Sequence, residues 1–192
     1  MNDIELIVQI RNGNTNAFRF LVDQNKNLVW HMVLRMIRQR EDIEDVCQEV
    51  FMKVFRDIQK FRGESKLSTW IGSITYHVCI DYIRKKGREK VLFSDEWEPD
   101  ESALQVHETT TVQMDRNWLK LKIHELIERM PLSYRTIVTL YHLEGFSYHE
   151  ISEVTGMPDG TVKSYLSRGR HMLRERLENE QPDIRNFLWD DH

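Results

Sequence analysis

Two cysteines, four prolines and eight glycines are a thin supply for 192 residues, and each shortage excludes something. Cys47 and Cys79 form no CxxC pair and no zinc-ligand spacing, so neither a disulfide framework nor a metal site is indicated. Two reduced thiols within helices are expected, which suits a reducing cytoplasm. No apolar run approaches the roughly 18 residues that suggest a membrane span. The opening MNDIELIVQIRNGN lacks the basic start and long apolar stretch of a signal peptide. A cytoplasmic protein without direct membrane insertion is expected. There is no GxxxxGK loop, no GxGxxG and no HExxH. The eight histidines are scattered, and His142 and His149, the pair that could meet across a turn, read as surface or structural. No Ser-His-Asp constellation follows from spacing. The expectation is a protein that is not an enzyme and needs no cofactor or metal. Strand-like alternation and internal repeats are also missing.

What is present is helical periodicity. Ile4, Ile7 and Ile10 make a short stripe that Gly13-Asn14 stops, and Phe18, Leu21, Leu28, Met32 and Met36 make a longer one. Ile43, Val46, Val50, Phe51, Val54, Phe55 and Ile58 fall on one face of a third helix. The pattern breaks around Gly63, resumes from Trp70 to Tyr82, and ends at Lys86-Gly87. It then fades over residues 87–115, where Pro99, a threonine run and seven acids after Lys90 read as a flexible linker. Helices resume at Trp118. Pro131 forces a break, and further helices are expected over about 133–143, after Glu144-Gly145, and over about 161–178. The predicted fold is all-α: two small helical domains, 1–88 and 117–178, joined by a linker at 89–116 and followed by a tail at 179–192. The tail carries an unexplained apolar knot, Phe187-Leu188-Trp189.

The most informative segment is FSYHEISEVTGMPDGTVKSYLSRGR, residues 146–170. Ser147 and Glu150 have capping-box spacing. Ile151 and Val154 face inward, Gly156 can take positive φ in the turn, and Asp159 or Thr161 can cap the next helix. Val162, Leu166 and Leu173 then recur on its inner side. Helix, glycine-containing turn and second helix is the helix-turn-helix pattern. The second helix carries Lys163, Arg168, Arg170, Arg174 and Arg176 against Glu175 alone, a net of +4 over residues 160–177. N-terminal side chains of a recognition helix meet base edges in the major groove while flanking cations hold phosphates. Lys163, Ser164 and Tyr165 are therefore candidates for base contact, with Thr161 beside them, and Arg168 and Arg170 for the backbone.

The overall charge of −4 hides this distribution. Residues 1–90 carry 16 basic and 12 acidic residues, a net of +4; residues 91–117 carry one and seven, −6; residues 118–192 carry 10 and 12, −2. Two basic elements on either side of an acidic strap suit reading two DNA elements at once, because linkage raises local concentration. The strap would also compete with DNA for the basic faces in the free protein.

At this point a resemblance becomes specific. Glu144-Gly145-Phe146-Ser147 and Gly160-Thr161-Val162-Lys163-Ser164 resemble the C-terminal DNA-binding region of extracytoplasmic-function sigma factors, of the bacterial sigma-70 family. The chain departs at Tyr165, where Arg is usual, and at Gly169, where Ala is usual; the glycine should loosen the helix interior by about 1 kcal/mol. Residues 42–54, Asp-Ile-Glu-Asp-Val-Cys-Gln-Glu-Val-Phe-Met-Lys-Val, are similar to the family's polymerase-docking helix. By resemblance Asp45, Gln48, Glu49 and Lys53 face the clamp helices of the polymerase's largest subunit. Phe61-Arg62-Gly63-Glu64-Ser65 through Trp70-Ile71 resembles the loop that captures a flipped base of the minus-ten element. Phe61, Arg62, Lys66 and Trp70 fit that chemistry of stacking and cationic tracking, with core packing the other reading of Trp70. Ile80-Asp81-Tyr82-Ile83-Arg84-Lys85-Lys86 resembles the helix along minus-ten DNA, with Arg84 and Lys85 as its cations and His77 where Asn is common.

The resemblance spans about residues 10–178 with both domains in order. It implies a monomeric alternative sigma factor that binds core RNA polymerase at the clamp helices and flap. Such a protein recognises minus-thirty-five and minus-ten promoter DNA, promotes strand opening, and is held inactive by an anti-sigma factor. The other reading is an autonomous helix-turn-helix regulator that binds duplex DNA as a dimer.

Overall fold

The computed structural model describes residues 3–87 and 116–180. Eight α-helices and two 3₁₀ turns, with no strand, make up these described residues. The expected linker (save its final residue), the acidic strap and the Phe187-Leu188-Trp189 knot lie outside them.

The first group begins with α1, Asp3–Arg11, whose first-turn Asp3 and Glu5 and last-turn Arg11 complement the helix dipole. Leu6, Ile7 and Ile10 are its buried residues. Ile4, expected on the inner stripe, is 68% exposed. Asn14 caps α2, Thr15–Met36, by accepting from the N–H groups of Asn16 (3.0 Å) and Ala17 (3.2 Å). A 3₁₀ turn at Arg40–Asp42 leads into α3, Ile43–Asp57, and a second at Ile58–Lys60 leaves it. Arg11 Nη2 donates to the carbonyls of Ile58 (3.1 Å), Gln59 (3.1 Å) and Phe61 (2.6 Å), which fastens the loop that starts at Phe61. Helix α4, Leu67–Lys85, has no cap of its own; the Asp3 carboxylate accepts from the Leu67 N–H at 3.4 Å. Leu21, Val29, Val33, Val46, Val50, Val54 and Ile71 form the centre of this group's core.

The second group holds α5 (Arg116–Arg129), α6 (Leu132–His142), α7 (Tyr148–Thr155) and α8 (Asp159–Glu180). Its core is built from Met130, Ile137, Leu140, Phe146, Ile151, Val154, Val162 and Leu166. Helix α8 starts two residues before the expected Thr161. The Pro158 carbonyl accepts from Thr161 N–H (2.8 Å) and Val162 N–H (3.0 Å), so Asp159 is already in the first turn.

The two groups are not beads on a string. Leu28 and Met32 on the far side of α2 belong to the second core, while Leu132 of α6 joins the first. Gly72 of α4 lets α7 come close: a Cβ there would stand 3.3 Å from Val154 Cγ2 and 3.4 Å from Phe146 Cε2. Around this apolar contact, Arg35 is buried and pairs with Glu128, and it donates to His124 Nδ1 at 2.7 Å. His31 Nδ1 lies 2.7 Å from Glu144 Oε1, and Lys66 Nζ lies 2.8 Å from Glu150 Oε1. Burying one Leu, Met or Phe side chain is worth about 1.5–3 kcal/mol, whereas an exposed ion pair contributes about 0–1 kcal/mol. Apolar packing therefore holds the halves together, and the ion pairs fix their register.

Candidate nucleic-acid interface

The helix-turn-helix is shaped by side chains returning to the backbone. Ser147 Oγ accepts from the Glu150 N–H (3.2 Å), and Glu150 Oε2 accepts from the Ser147 N–H (2.8 Å), so the expected capping box is formed at α7. The Lys66 ammonium, with the Ser147 N–H behind it, holds the Glu150 carboxyl well below its ordinary range, at about 2. At the other end Gly156 takes φ +74° and donates to Ser152 O at 2.8 Å. Ser152 Oγ donates to Met157 O (2.6 Å) and Thr155 Oγ1 to Ile151 O (2.7 Å), which closes the turn into α8.

Helix α8 is seated through Val162, Leu166, Gly169 and Leu177. Leu173, expected inward, is half-buried against both the second core and a small cluster with Leu126 and Leu177. Gly169 is a point of close packing rather than looseness. A methyl group there would stand 2.9 Å from Val138 Cγ2 and 3.3 Å from Met130 Cε, so the glycine lets α8 lie against α6. The helix-propensity cost anticipated from the sequence is the cost of that approach.

The opposite side of α8 is exposed at Lys163, Ser164, Arg168 and Arg170. Lys163 and Arg168 form no ion pair among the described residues, which leaves both cations available. Arg170 is pre-positioned: its Nε donates to His142 Nε2 at 3.1 Å and its guanidinium lies 5.2 Å over the Tyr141 ring. Burial, then the Arg170 charge, lower the His142 pKa, which keeps that ring a neutral acceptor. Ser164 Oγ is turned back onto Gly160 O at 2.9 Å. Tyr165 is half-buried and packs on Tyr134, ring centroids 4.7 Å apart. Thr161 is half-buried at the start of the helix.

In the first group, Phe61 is buried in the core, its ring 5.3 Å from the half-buried Trp70. Arg62 and Lys66 are exposed, Lys66 engaged with Glu150. Along α4, His77 Nδ1 donates to Ser73 O at 2.7 Å, which turns Nε2 outward as an acceptor. Arg84 and Lys85 are exposed. Lys86 is drawn back instead, 3.4 Å from Asp42 and over the Tyr82 ring, while the Tyr82 hydroxyl donates to Asp42.

The fold brings the two sets of candidates to one place. Tyr76, His77 and Arg84 of α4 face Thr155, Thr161 and Tyr165 of the helix-turn-helix across a cleft of about 540 Å³. The residues expected to dock polymerase stand apart on α3, with Asp45, Gln48 and Glu49 exposed and Lys53 half-buried. Beside them is a feature the sequence reading missed. Phe18, Cys47, Gln48, Phe51, Met52 and Phe55 line a surface groove of about 620 Å³, with Met52 72% and Phe55 57% exposed. Phe51 and Phe55, expected on the inner stripe with Val50 and Val54, turn partly outward instead. The signal was there: adjacent apolar pairs on a helix are about 100° apart, too wide for one buried line. Cys47 in this groove is a free thiol whose pKa burial pushes up to about 11, and Cys79 is free and buried.

Residues 21–89 match Sigma-70 region 2, and residues 120–173 match Sigma-70, region 4. The ECF RNA polymerase sigma-E factor of Haemophilus influenzae is 33% identical over 183 residues, covering 93% of this chain and 96% of that one. The chain belongs to the ECF RNA polymerase sigma factors, an all-α family of two sigma regions. Among the relatives, SigW of Bacillus subtilis is 29% identical over 90% of this chain and 95% of its own length. The fold is shared with CnrH, solved with the cytosolic domain of CnrY, at TM-score 0.66 and 19% identity over 93% of this chain and 99% of that one. It is shared also with RpoE of Bartonella quintana, solved with the anti-sigma factor NepR, at TM-score 0.64 and 23% identity over 84% and 96%. No helix among the described residues is long and apolar enough to cross a membrane.

Proposed function

We propose that this alternative sigma factor binds core RNA polymerase through α3, reads the minus-thirty-five element with α8, and reads and helps open the minus-ten element with the Phe61–Trp70 loop and α4. The observation that carries this reading is the pairing of two sigma regions, each with available cations, in one chain. Residues 1–88 are taken as the polymerase and minus-ten domain, 89–116 as the linker and 117–178 as the minus-thirty-five domain.

On α8, Lys163 and Tyr165 are assigned to base edges with Thr161 and Ser164, and Arg168 and Arg170 to phosphates. On α4 and its preceding loop, Arg62, Lys66, Arg84 and Lys85 track the backbone, and Phe61, Trp70 and His77 meet the unpaired bases. Phe61 must leave its core position to do so. Asp45, Gln48, Glu49 and Lys53 form the polar rim of the polymerase-docking face, and the groove at Phe51, Met52 and Phe55 forms its apolar centre, the arrangement of a protein interface. Sigma factors are initiation factors rather than enzymes, and catalysis belongs to the polymerase. The protein acts in the cytoplasm, and an anti-sigma factor restrains it.

The test is in-vitro transcription by purified core polymerase on genomic templates, with and without the protein. Discrete new start sites that depend on the protein support the reading. Core polymerase that neither binds the chain nor initiates would overturn it and favour a regulator that dimerises on duplex DNA.

A further inference from the structure

Two arginines of α8 are assigned to phosphates, and they are held differently. Arg168 is exposed and forms no hydrogen bond or ion pair among the described residues. Arg170 is exposed too, yet the last two residues of α6 hold it. Its Nε donates to His142 Nε2 at 3.1 Å, and its guanidinium carbon lies 5.2 Å from the centre of the Tyr141 ring. Neither Nη1 nor Nη2 is engaged by a hydrogen bond or ion pair among the described residues.

The packing beneath explains the arrangement. Val138 and His142 are four residues apart, so they lie on one face of α6. The close approach of Gly169 to Val138 therefore sets its neighbour Arg170 beside His142, one turn further on. The last carbonyls of α6 also favour a cation there. The Tyr141 ring is itself fixed: it stacks on Tyr148, the first residue of α7, with centroids 5.2 Å apart and planes 18° apart. His142 stands edge-on to Tyr141, centroids 4.9 Å apart. Burial, then the Arg170 charge, lower the His142 pKa, so the ring is the neutral acceptor that the bond requires. With Nε given to His142, the edge left for a phosphate is the end of the guanidinium, where Nη1 and Nη2 can donate two parallel bonds.

We propose that His142 and Tyr141 are positioning residues that fix Arg170 in advance, with its Nη1–Nη2 edge presented to one phosphate of the duplex. Arg168 has no such support and must be ordered on binding. Ordering one long side chain at an interface lowers affinity by about two- to tenfold, and for Arg170 folding has already met that cost. The positioning stands on the geometry of the chain alone. The phosphate rests on the proposed seating of α8 on DNA.

The test has one readout without DNA and one with it. In nitrogen–proton spectra of the isotope-labelled full chain, the Arg170 Nε–H should give a resolved signal that exchanges slowly with water. His142→Ala should lose it, and His142→Gln, which keeps an acceptor, should retain it. On a short random-sequence duplex at low salt, His142→Ala and Tyr141→Leu should each bind about two- to tenfold more weakly than the wild type. His142→Gln and Tyr141→Phe should stay within about twofold of it. With Arg170→Ala already in place, His142→Ala should cost nothing more, because the two act as one unit. Circular dichroism confirms that each variant is folded; if Tyr141→Leu is not, the surface His142 variants carry the test. An Nε–H signal indifferent to His142→Ala overturns the positioning, as does a His142→Ala deficit that persists without Arg170. Arg170→Ala at wild-type affinity overturns instead the phosphate assignment on which the proposal rests.

Discussion

Helices α3 and α8 are both amphipathic, both seated by branched aliphatic residues and both charged outside, yet they offer opposite chemistry. Beyond its buried line of Val46, Val50 and Val54, α3 presents an apolar groove edged by polar residues. Beyond Val162 and Leu166, α8 presents separated cations, one of them steered by His142 and Tyr141. A protein partner is gripped by desolvating aromatic and Met side chains; a phosphate backbone is gripped by displacing counterions. On the proposed reading the same helix pattern serves two partners, and the residues just off the buried line decide which.

The comparison predicts where each helix breaks. Phe55→Ser should cost the largest loss of binding, a fall in core-polymerase affinity of about 2 kcal/mol or roughly thirtyfold, as for a central interface aromatic. Asp45→Arg at the rim should cost less and leave helical content unchanged; polymerase titration with circular dichroism on both variants checks the order. Were the rim variant the worse one, the groove would not be the centre of the interface. On α8, Gly169→Ala should destabilise by about 1–3 kcal/mol through overpacking against Val138, despite alanine's better helix propensity. Thermal unfolding decides it, since propensity alone predicts a higher Tm.

Arg168→Ala should weaken DNA binding evenly across sequences and reduce the slope of log affinity against log salt by about 1. A changed sequence preference at intact affinity would move Arg168 from phosphate to base. The smallest effect is that of pH. Glu150 is held below its unfolded value of 4.5, at about 2. Its contribution to stability is therefore complete above about pH 4.5 and lost as pH falls towards 2. Lys66→Ala should shrink that acid-limb loss in unfolding curves, and an unchanged limb would assign the shift to Ser147 alone.

Much of this was legible in the sequence because it is local. The capping box needs only the Ser147–Glu150 spacing, and the Gly156 turn and the cationic side of α8 lie within one short segment. The start of α8 lies two residues before the expected Thr161 because Asp159 and Thr161 both resemble caps, while Pro158 supplies the accepting carbonyl. The role of Gly169 is not legible in its own segment, because its reason lies on another helix, at Val138 and Met130. The cleft was invisible for the same reason. Its register contacts join residues as far apart in sequence as His31 and Glu144, and nothing in either segment announces the other.

Helix α2 serves two cores: Leu21, Val29 and Val33 pack within the first group, while Leu28 and Met32 wait for residues of the second. Those later residues, Ile127 to Leu166, lie about 100 positions downstream, a delay of roughly 5–20 s at ordinary rates of synthesis. For that interval the nascent chain carries a folded or folding first domain with one bare apolar stripe. Its final helices complete a surface that the ribosome made long before.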